Sequence, residues 1–544
     1  MSGLDNKYKG SVLILGAGLM QKPAICAAKE LNLKSFVIDA NEKALCVPDA
    51  DVFKKIDLKN KEQIYEYAKI LKETENLCGI FTCGTDFSAS VSYAAEKLSF
   101  HAHKYENALN ASIKPRMRAC FDEGKVPSPR FYSVQNDYDM ALDCVNKIGF
   151  PCVVKPADNM GARGCRLIRN PDECNRAVND AFNNSRTRTI ILEEYMEGPE
   201  FSIDALVYNG TLTITGFADR HIFYPPYFIE TGHTMPSVFD KEKQKELITV
   251  FAQGIKALGL TEGAAKADIK YTENGPEIGE IAARLSGGYM SGWTFPYSSD
   301  FNLVKEAMKI SCGIKPDELL ERRIPLEYKF PEKSKNFEKP FELFEIPSVH
   351  VSAERAYISI PGKIKSIERI GEEVPSEIKN VFPRDFKAGD EVDFPRNNVS
   401  KCGNAVSLSD NYEKAVSASE KEAGSVLIRL DKNNPETENF LADKELPDEK
   451  GFPPASFSAY EKLKETEISG IVEENESVLK NVPVEIKTAL DSVEKNWNYR
   501  TLSEEAELFD LITKKHRPVS KNRFWKAILK GGIQAALYVI DCEN

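Results

Sequence analysis

The stretch VVKPADNMGARGCRLI, Val153 to Ile168, is the most informative part of the sequence. An apolar strand delivers Lys155, a loop holds Gly161 and Gly164, and a second apolar strand follows. Glycines let backbone N–H groups turn toward a phosphate, and a lysine adds a positive charge. In a Walker-type loop the lysine follows the glycines and opens a helix, whereas here it precedes them on a strand. The pattern predicts a different phosphate-binding loop, with an ordinary surface hairpin as the alternative.

The next segment, TIILEEYMEGPEFSIDALV from Thr189 to Val207, has the features of a nucleoside pocket. One strand ends in two carboxylates, a short apolar hinge follows, and Gly198-Pro199-Glu200 opens another strand. Backbone groups of such a hinge can bind an adenine edge, and Glu200 would accept hydrogen bonds from ribose hydroxyls. Alone this would be a solvated acidic edge, but behind a lysine and glycine loop it indicates a candidate nucleoside site.

A third segment, AAKADIKYTENGPEIGEIAARLSGG, supplies metal-binding residue types. Whether Asp268 and Glu280 share a face of their two strands depends on the turn between them. A two-residue Asn274-Gly275 turn would put them on opposite faces, and a three-residue loop over 273–275 would set them directly opposite each other. We predict the second register. Two carboxylates together suit magnesium, and Arg284 would then clamp a phosphoryl or carboxylate group.

The stretch SVLILGAGLMQKP near the start resembles a dinucleotide-binding turn in two of its three glycine positions. Gly16 and Gly18 fill the first two, Gln21 stands at the third, and Asp39 ends the next apolar run at the expected spacing. By itself the match is weak. A doubly wound α/β unit without a cofactor is at least as good an interpretation.

Composition excludes several classes of protein. The 544 residues include 42% hydrophobic and 28% charged positions, as in a globular protein of several domains, and the net charge of -11 argues against a general nucleic-acid binder. The 12 cysteines lack paired C-x-x-C spacing, so they predict buried thiols in a reducing compartment. Neither a signal peptide nor an apolar run long enough for a membrane span is evident, and we expect a cytoplasmic protein.

These segments, in this order, resemble the ATP-grasp superfamily. Its pattern is a lysine before the second lobe, a lysine ahead of a glycine loop, an E-E-x-x-x-G-x-E hinge and terminal metal carboxylates. The chain matches that pattern from Lys114 to Arg284. The resemblance implies an α/β protein with a Rossmann-like pre-ATP-grasp domain at 1–110 that binds no NAD, a two-lobed α+β ATP-grasp domain at 111–325 and a β-rich C-terminal domain at 326–430.

Carried over residue by residue, the resemblance implies ATP and magnesium, or manganese, as cofactors. Two lysines would bind the phosphates, the glycine loop would cover them, and the acidic hinge would meet adenine and ribose. Asp268 and Glu280 would hold two metal ions; many members carry an asparagine two residues later, where this chain has Ala282, which leaves the second metal's coordination open. The ATP residues implied are Lys114, Lys155, Gly161, Gly164, Glu193, Glu194, Met196 and Glu200.

The superfamily usually phosphorylates a carboxylate and lets a nucleophile capture the acyl phosphate. The resemblance implies Arg284, Lys155 and Glu280 as catalytic residues, with Arg284 stabilising the acyl phosphate and the tetrahedral intermediate. The R-L-S-G-G run that begins at Arg284 looks like that of amino-acid ligases, and the segment PYFIETGHTMPS resembles their substrate loop. Glu230, His233 and Trp293 are therefore candidate substrate residues, with core packing the alternative for Trp293 and structural hydrogen bonding for His233.

The hypothesis is thus an ADP-forming ligase that joins a small carboxylic or amino acid to an amine. A bicarbonate-activating enzyme of the purine-carboxylase or carbamoyl-phosphate kind is the nearest alternative. A non-catalytic nucleotide-binding protein and an NAD oxidoreductase are further ones. Relatives are commonly dimers, so a homodimer is one expectation for its assembly.

Residues after Leu430 lie outside the resemblance. The stretch 431–454 is dense in Pro, Asp, Glu, Lys and Asn and predicts a linker. Residues 455–544 have a helical pattern, and the basic segment from Lys514 to Gly532 carries Phe524 and Trp525 at helical spacing. Such a helix would bind an acidic partner or a membrane surface, or dock on its own protein with its lysines in water; we favour docking.

Overall fold

The computed structural model describes residues 8–332, 338–371, 373–444, 449 and 451–543. These fall into two compact units. The first comprises Met1–His221, His233–Ala353 and Leu408–Tyr412; the second comprises Ile222–Gly232, Glu354–Ser407 and Glu413–Asn544. The boundaries of the predicted domains stay predictions.

The first unit begins with the predicted parallel sheet, in the order β3-β2-β1-β4. Helices alternate with its strands, as the apolar runs in the sequence indicate. The elements are β1 Gly10–Leu15, α1 Lys22–Glu30, β2 Leu33–Asp39, β3 Val52–Lys55, α2 Lys61–Thr74, β4 Leu77–Phe81, α3 Ser88–Lys97, α4 Tyr105–Ser112 and α5 Lys114–Glu123.

Gln21 fills the space where a dinucleotide fingerprint needs glycine. It is fully buried, its Oε1 accepts a hydrogen bond from Cys83 N at 3.0 Å, and a Cβ on Gly16 would lie 3.0 Å from its Cγ. Asp39 accepts a hydrogen bond from Ala17 N at 2.8 Å. The glycine turn therefore carries an internal hydrogen-bond network where the fingerprint would hold a pyrophosphate and a ribose, which favours the cofactor-free interpretation.

A small antiparallel sheet has the order β5-β8-β6-β7 and corresponds to the predicted first lobe. The two helices beside it bury their apolar faces on one side of the sheet. The elements are β5 Phe131–Gln135, α6 Tyr138–Ile148, β6 Cys152–Pro156, β7 Arg166–Ile168, α7 Cys174–Asn184 and β8 Thr189–Glu194.

The second lobe is built on antiparallel strands in the order β13-β12-β9-β10. Asn209 and Gly210 form the predicted two-residue turn, both with positive φ, and Asp240 caps α8 by accepting from Lys243 N. The elements are β9 Glu200–Tyr208, β10 Thr211–Phe223, β11 Ile229–Met235, α8 Lys241–Leu258, β12 Gly263–Thr272, β13 Gly275–Ala282, α9 Phe295–Ser299, α10 Leu303–Ser311, α11 Asp317–Arg322, β14 Ile324–Pro325 and β15 Glu342–Glu345.

The β-rich stretch and the helical tail follow. They comprise β16 Val351–Tyr357, β17 Gly362–Arg369, β18 Ile378–Pro383, β19 Glu391–Val392, β20 Gly403–Ser409, α12 Tyr412–Ser425, β21 Val426–Leu430, α13 Pro435–Leu441, α14 Ala459–Leu463, β22 Ile471–Val472, α15 Val484–Leu490, α16 Leu502–Ile512, β23 Val519–Ser520 and α17 Lys521–Glu543. None of the helices in the described ranges has the length and apolar character needed to cross a membrane.

The second unit corrects two expectations about the tail. The described part of the predicted linker contains α13 and buries Phe440 and Phe452 in the core of the unit, because two phenylalanines outweigh the polar composition around them. Phe524 and Trp525 are fully buried in the same core, which confirms docking. Lys530 is not in water, however: it is buried and paired with Asp443, and burial lowers its pKa despite that partner.

Candidate active site

Arg118, Lys155 and Glu193 form a buried group of three charges beside the small sheet. β6 and β8 are neighbours, and their register places Lys155 two residues from Val153, the residue opposite Glu193, so that Lys155 and Glu193 lie on the same face of the sheet. Lys155 forms an ion pair with Glu193, and Arg118 Nε donates to the other carboxylate oxygen at 2.7 Å. Burial alone would raise the pKa of Glu193, but the charges of Arg118 and Lys155 outweigh it and hold that pKa at about 2.

Arg118, which the sequence analysis did not identify, forms hydrogen bonds with both β8 and β13. Its guanidinium donates to Ile278 O at 3.2 Å and to Gly279 O at 2.7 Å on β13. Arg118 lies one helical turn after Lys114 on α5, so both side chains lie on the same face of the helix. That i, i+4 spacing is the signal that could have identified it.

The glycine loop has the backbone geometry that its sequence predicts. Gly161, Ala162 and Gly164 all have positive φ, between +60° and +69°. A Cβ on Gly164 would approach Asn184 Cβ to 2.6 Å, so the position requires glycine. Lys114 Nζ donates to Asn159 O of this loop at 3.1 Å, which joins the two predicted phosphate-binding elements.

The hairpin of β12 and β13 sets Asp268 directly opposite Glu280, as predicted. The route to that register differs from the prediction. Thr272 already pairs with Gly275, so the turn is the two-residue Glu273-Asn274, and an extra residue at Gly279 shifts the register by one before the carboxylates are reached. A β-bulge, rather than a longer loop, therefore puts both carboxylates on one face.

Cationic side chains pair with these carboxylates. Arg220 Nη1 lies 2.9 Å from Asp268 Oδ1, and Lys266 pairs with Asp268 Oδ2. The same Arg220 atom lies 2.6 Å from Glu200 Oε1, and Lys270 Nζ lies 3.5 Å from Glu200 Oε2. Arg220 was not among the sequence candidates, and it bridges the predicted ribose and metal carboxylates.

Glu280 completes this set, with Lys114 Nζ 3.8 Å from its Oε2. Across the described ranges no group of three or more His, Cys, Asp or Glu residues gathers as a metal cluster. Asp268 and Glu280, on adjacent strands and partly exposed, nevertheless fit a magnesium ion that takes one or two protein carboxylates and completes its shell with phosphate oxygens.

Arg284 follows β13 and pairs with Asp86 from the loop after β4. Its Nε donates to Asp86 Oδ1 at 2.5 Å, and its Nη1 donates to Leu285 O at 3.0 Å. Burial would lower the pKa of Arg284, but the charges of Asp86 and Glu280 raise it above its ordinary value. The Rossmann-like part of the chain thus contributes a carboxylate to this site, which sequence reasoning did not find.

A buried aspartate holds the loop behind Arg284. Asp204 on β9 accepts from Ser286 N at 3.1 Å and from Ser286 Oγ at 2.8 Å. Complete burial raises the pKa of Asp204 to about 6, although these hydrogen bonds and nearby Lys266 oppose the rise. The carboxylate of Asp204 therefore holds the backbone of the L-S-G-G run at Ser286.

The remaining predicted residues lie in varied surroundings. Met196 O accepts from Lys270 Nζ at 3.1 Å, and Glu194 is half-exposed and pairs with Arg130 at 3.1 Å. Glu230 belongs to the second unit, where its backbone bonds to Asn398 and Lys401. His233 is fully buried in β11, and Trp293 packs its ring 5.8 Å from that of Tyr289.

Residues 148–292 match the model of the ATP-grasp domain family, and this segment includes Lys155, Asp268, Glu280 and Arg284 of the site just described. Among solved structures, the L-amino acid ligase from Bacillus licheniformis is similar with a TM-score of 0.62 and 17% identity, covering 78% of this chain and all of that one. At this identity the likeness establishes the fold.

Curated relatives are similar over parts of their length. Carnosine synthase 1 of Gallus gallus is 27% identical over 182 residues, which is 31% of this chain and 19% of that protein. The alanine–anticapsin ligase of Bacillus subtilis is 28% identical over 316 residues, 48% of this chain and 66% of that protein. The chain thus spans between 19% and 66% of the length of these two relatives.

Proposed function

We propose that this protein is an ATP-dependent, ADP-forming ligase that activates a carboxylate as an acyl phosphate and couples it to an amine. The observation that carries the proposal is that Asp268 and Glu280 lie directly opposite each other on one hairpin. Lys114 lies beside Glu280, and the charge of Glu280 is close enough to raise the pKa of Arg284. Carboxylates for a metal and cations for phosphates are thereby gathered in one place, as phosphoryl transfer requires.

In this proposal Lys114 and Lys155 bind the ATP phosphates, the backbone of the glycine loop covers them, and Glu200 accepts hydrogen bonds from the ribose. Asp268 and Glu280 would hold magnesium, which when bound offsets charge on the transferring phosphoryl group. Arg284 binds the carboxylate substrate and stabilises the oxyanion that develops when the amine attacks. The positive φ values of the glycine loop and the hydrogen bond from Lys114 to Asn159 support this arrangement.

For the substrates we propose a small carboxylic or amino acid together with an amine, with Glu230, His233 and Trp293 as substrate residues. The R-L-S-G-G run supports this class, and so do the names of the similar proteins, which are ligases of amino acids or a synthase of carnosine. Ala282 marks the nearest alternative, a bicarbonate-activating enzyme, because some purine-pathway members share alanine at that place.

The test is ADP release from Mg-ATP against a panel of amino acids, other small carboxylates and bicarbonate, each with and without amines. We expect release that requires both a carboxylate and an amine and that disappears in Glu280→Gln, while the matched variant Glu273→Gln in the exposed turn stays active. Release with bicarbonate alone would move the protein to the alternative class. Nucleotide binding without release under every condition would leave a binding protein and defeat the ligase proposal.

A further inference from the structure

Both carboxylate oxygens of Asp268 pair with cationic side chains that have no role in the proposed function. Oδ1 lies 2.9 Å from Arg220, and Oδ2 pairs with Lys266. The Arg220 side chain is only 10% exposed and also holds Glu200. A divalent ion that approached Asp268 without a nucleotide would therefore have to displace two positive charges into a poorly solvated space.

We infer that Arg220 and Lys266 compete with a metal ion for Asp268 and thereby make metal binding conditional on nucleotide. When a triphosphate enters with its metal, its oxygens offer the displaced guanidinium and ammonium groups new partners, so the carboxylate is released at little electrostatic cost. This inference rests on the proposed function, because it assigns Asp268 to a metal. It adds that the site discriminates against the free divalent cation.

The consequence is a coupling between two ligands. A residue that blocks the metal only while nucleotide is absent makes each ligand strengthen the binding of the other by the same factor. The wild-type protein should thus bind free Mn²⁺ weakly and bind it well with a non-hydrolysable ATP analogue. Removing the Arg220 charge should lift the block and shrink that difference.

The experiment measures the Mn²⁺ that stays with the protein in equilibrium dialysis, with and without the analogue, and a protein-free sample of the analogue gives the background. Arg220→Gln should raise the affinity for Mn²⁺ alone by about tenfold or more, within the usual range of coupling. The matched control is Lys270→Gln, which removes one positive charge from the same Glu200 but not from Asp268. It should leave the affinity for Mn²⁺ alone nearly unchanged.

The outcomes separate the inference from the function beneath it. If Mn²⁺ binding depends on the analogue but Arg220→Gln leaves the affinity for free Mn²⁺ unaltered, or Lys270→Gln raises it equally, the inference is wrong and the metal assignment stands. If no variant binds Mn²⁺ even with the analogue, the metal assignment falls and takes the inference with it. Thermal melts of each variant verify that it is folded.

Discussion

Arg284 and Asp86 lie 198 positions apart in the sequence and form a close ion pair, with Arg284 Nε 2.5 Å from Asp86 Oδ1. The pair joins the end of β13 to the loop after β4. Each charge shifts the other's pKa away from neutral pH, since Asp86 has a lowered pKa and Arg284 a raised one despite burial. The pair therefore stays ionised under all ordinary conditions and fixes the guanidinium that we propose for the carboxylate substrate.

Asp86→Asn should destabilise the protein by about 1.5 to 3 kcal/mol, the contribution of a hydrogen bond between charged groups. Arg284→Gln should cost a similar amount, and the double variant should cost less than the sum, because the second change removes a charge already left unpaired. Urea unfolding of the four proteins measures the coupling. Simple additivity would mean that the contact contributes nothing.

Glu193→Gln should cost about 3 to 5 kcal/mol, because it leaves Arg118 and Lys155 as uncompensated charges in a buried place. Since the pKa of Glu193 is lowered to about 2, its stabilisation is complete above the ordinary carboxyl pKa and is lost as the pH falls toward 2. Urea midpoints between pH 3 and pH 7 should therefore fall less steeply toward acid in the variant. An equal acid slope in both proteins would contradict the buried group of three charges.

Asp204 gives the opposite pH dependence. Its pKa is raised to about 6, so the folded state holds the proton where the unfolded chain has lost it, and stability falls as the pH rises from about 4 to 6. Asp204→Asn should remove this loss, which amounts to roughly 3 kcal/mol between those limits. Ser286→Ala removes a hydrogen bond that opposes the rise in this pKa, so the loss of stability should persist in that variant and extend to higher pH. Identical slopes in all three proteins would refute the raised pKa.

Lys155→Met should weaken ATP binding by roughly tenfold to a hundredfold, as expected for one lost hydrogen bond between charged groups. Lys147→Met, at the exposed end of α6 in the same lobe, is the matched control and should bind ATP normally. Isothermal titration with the non-hydrolysable analogue measures both. Unchanged affinity in Lys155→Met would remove this residue from the phosphate site.

Much of the architecture could be predicted because it depends on local patterns. The alternation of apolar runs gave the parallel sheet, Asn209-Gly210 gave its hairpin, and the glycine loop has the positive φ values its sequence predicts. The polar composition of 431–454 wrongly predicted a linker. The apolar area that Phe440 and Phe452 bury in the core holds part of this segment in the second unit, although most of its residues are polar. The partners of Arg118 and Asp86 could not be predicted, since packing between distant segments brings Glu193 to Arg118 and Arg284 to Asp86.

The sequence shows which residues carry the charges of the site, whereas the folded chain establishes which of these charges lie together. Counted from the Asn209-Gly210 turn, Glu200 would lie opposite Asp219, but an extra residue at Thr215 moves it opposite Arg220. Counted from the Glu273-Asn274 turn, Asp268 would lie opposite Gly279, and a second bulge moves it opposite Glu280. Because side chains alternate faces along a strand, each one-residue shift exchanges the faces. Bulges are settled by the packing of the finished sheet, so spacing in the sequence could not reveal them.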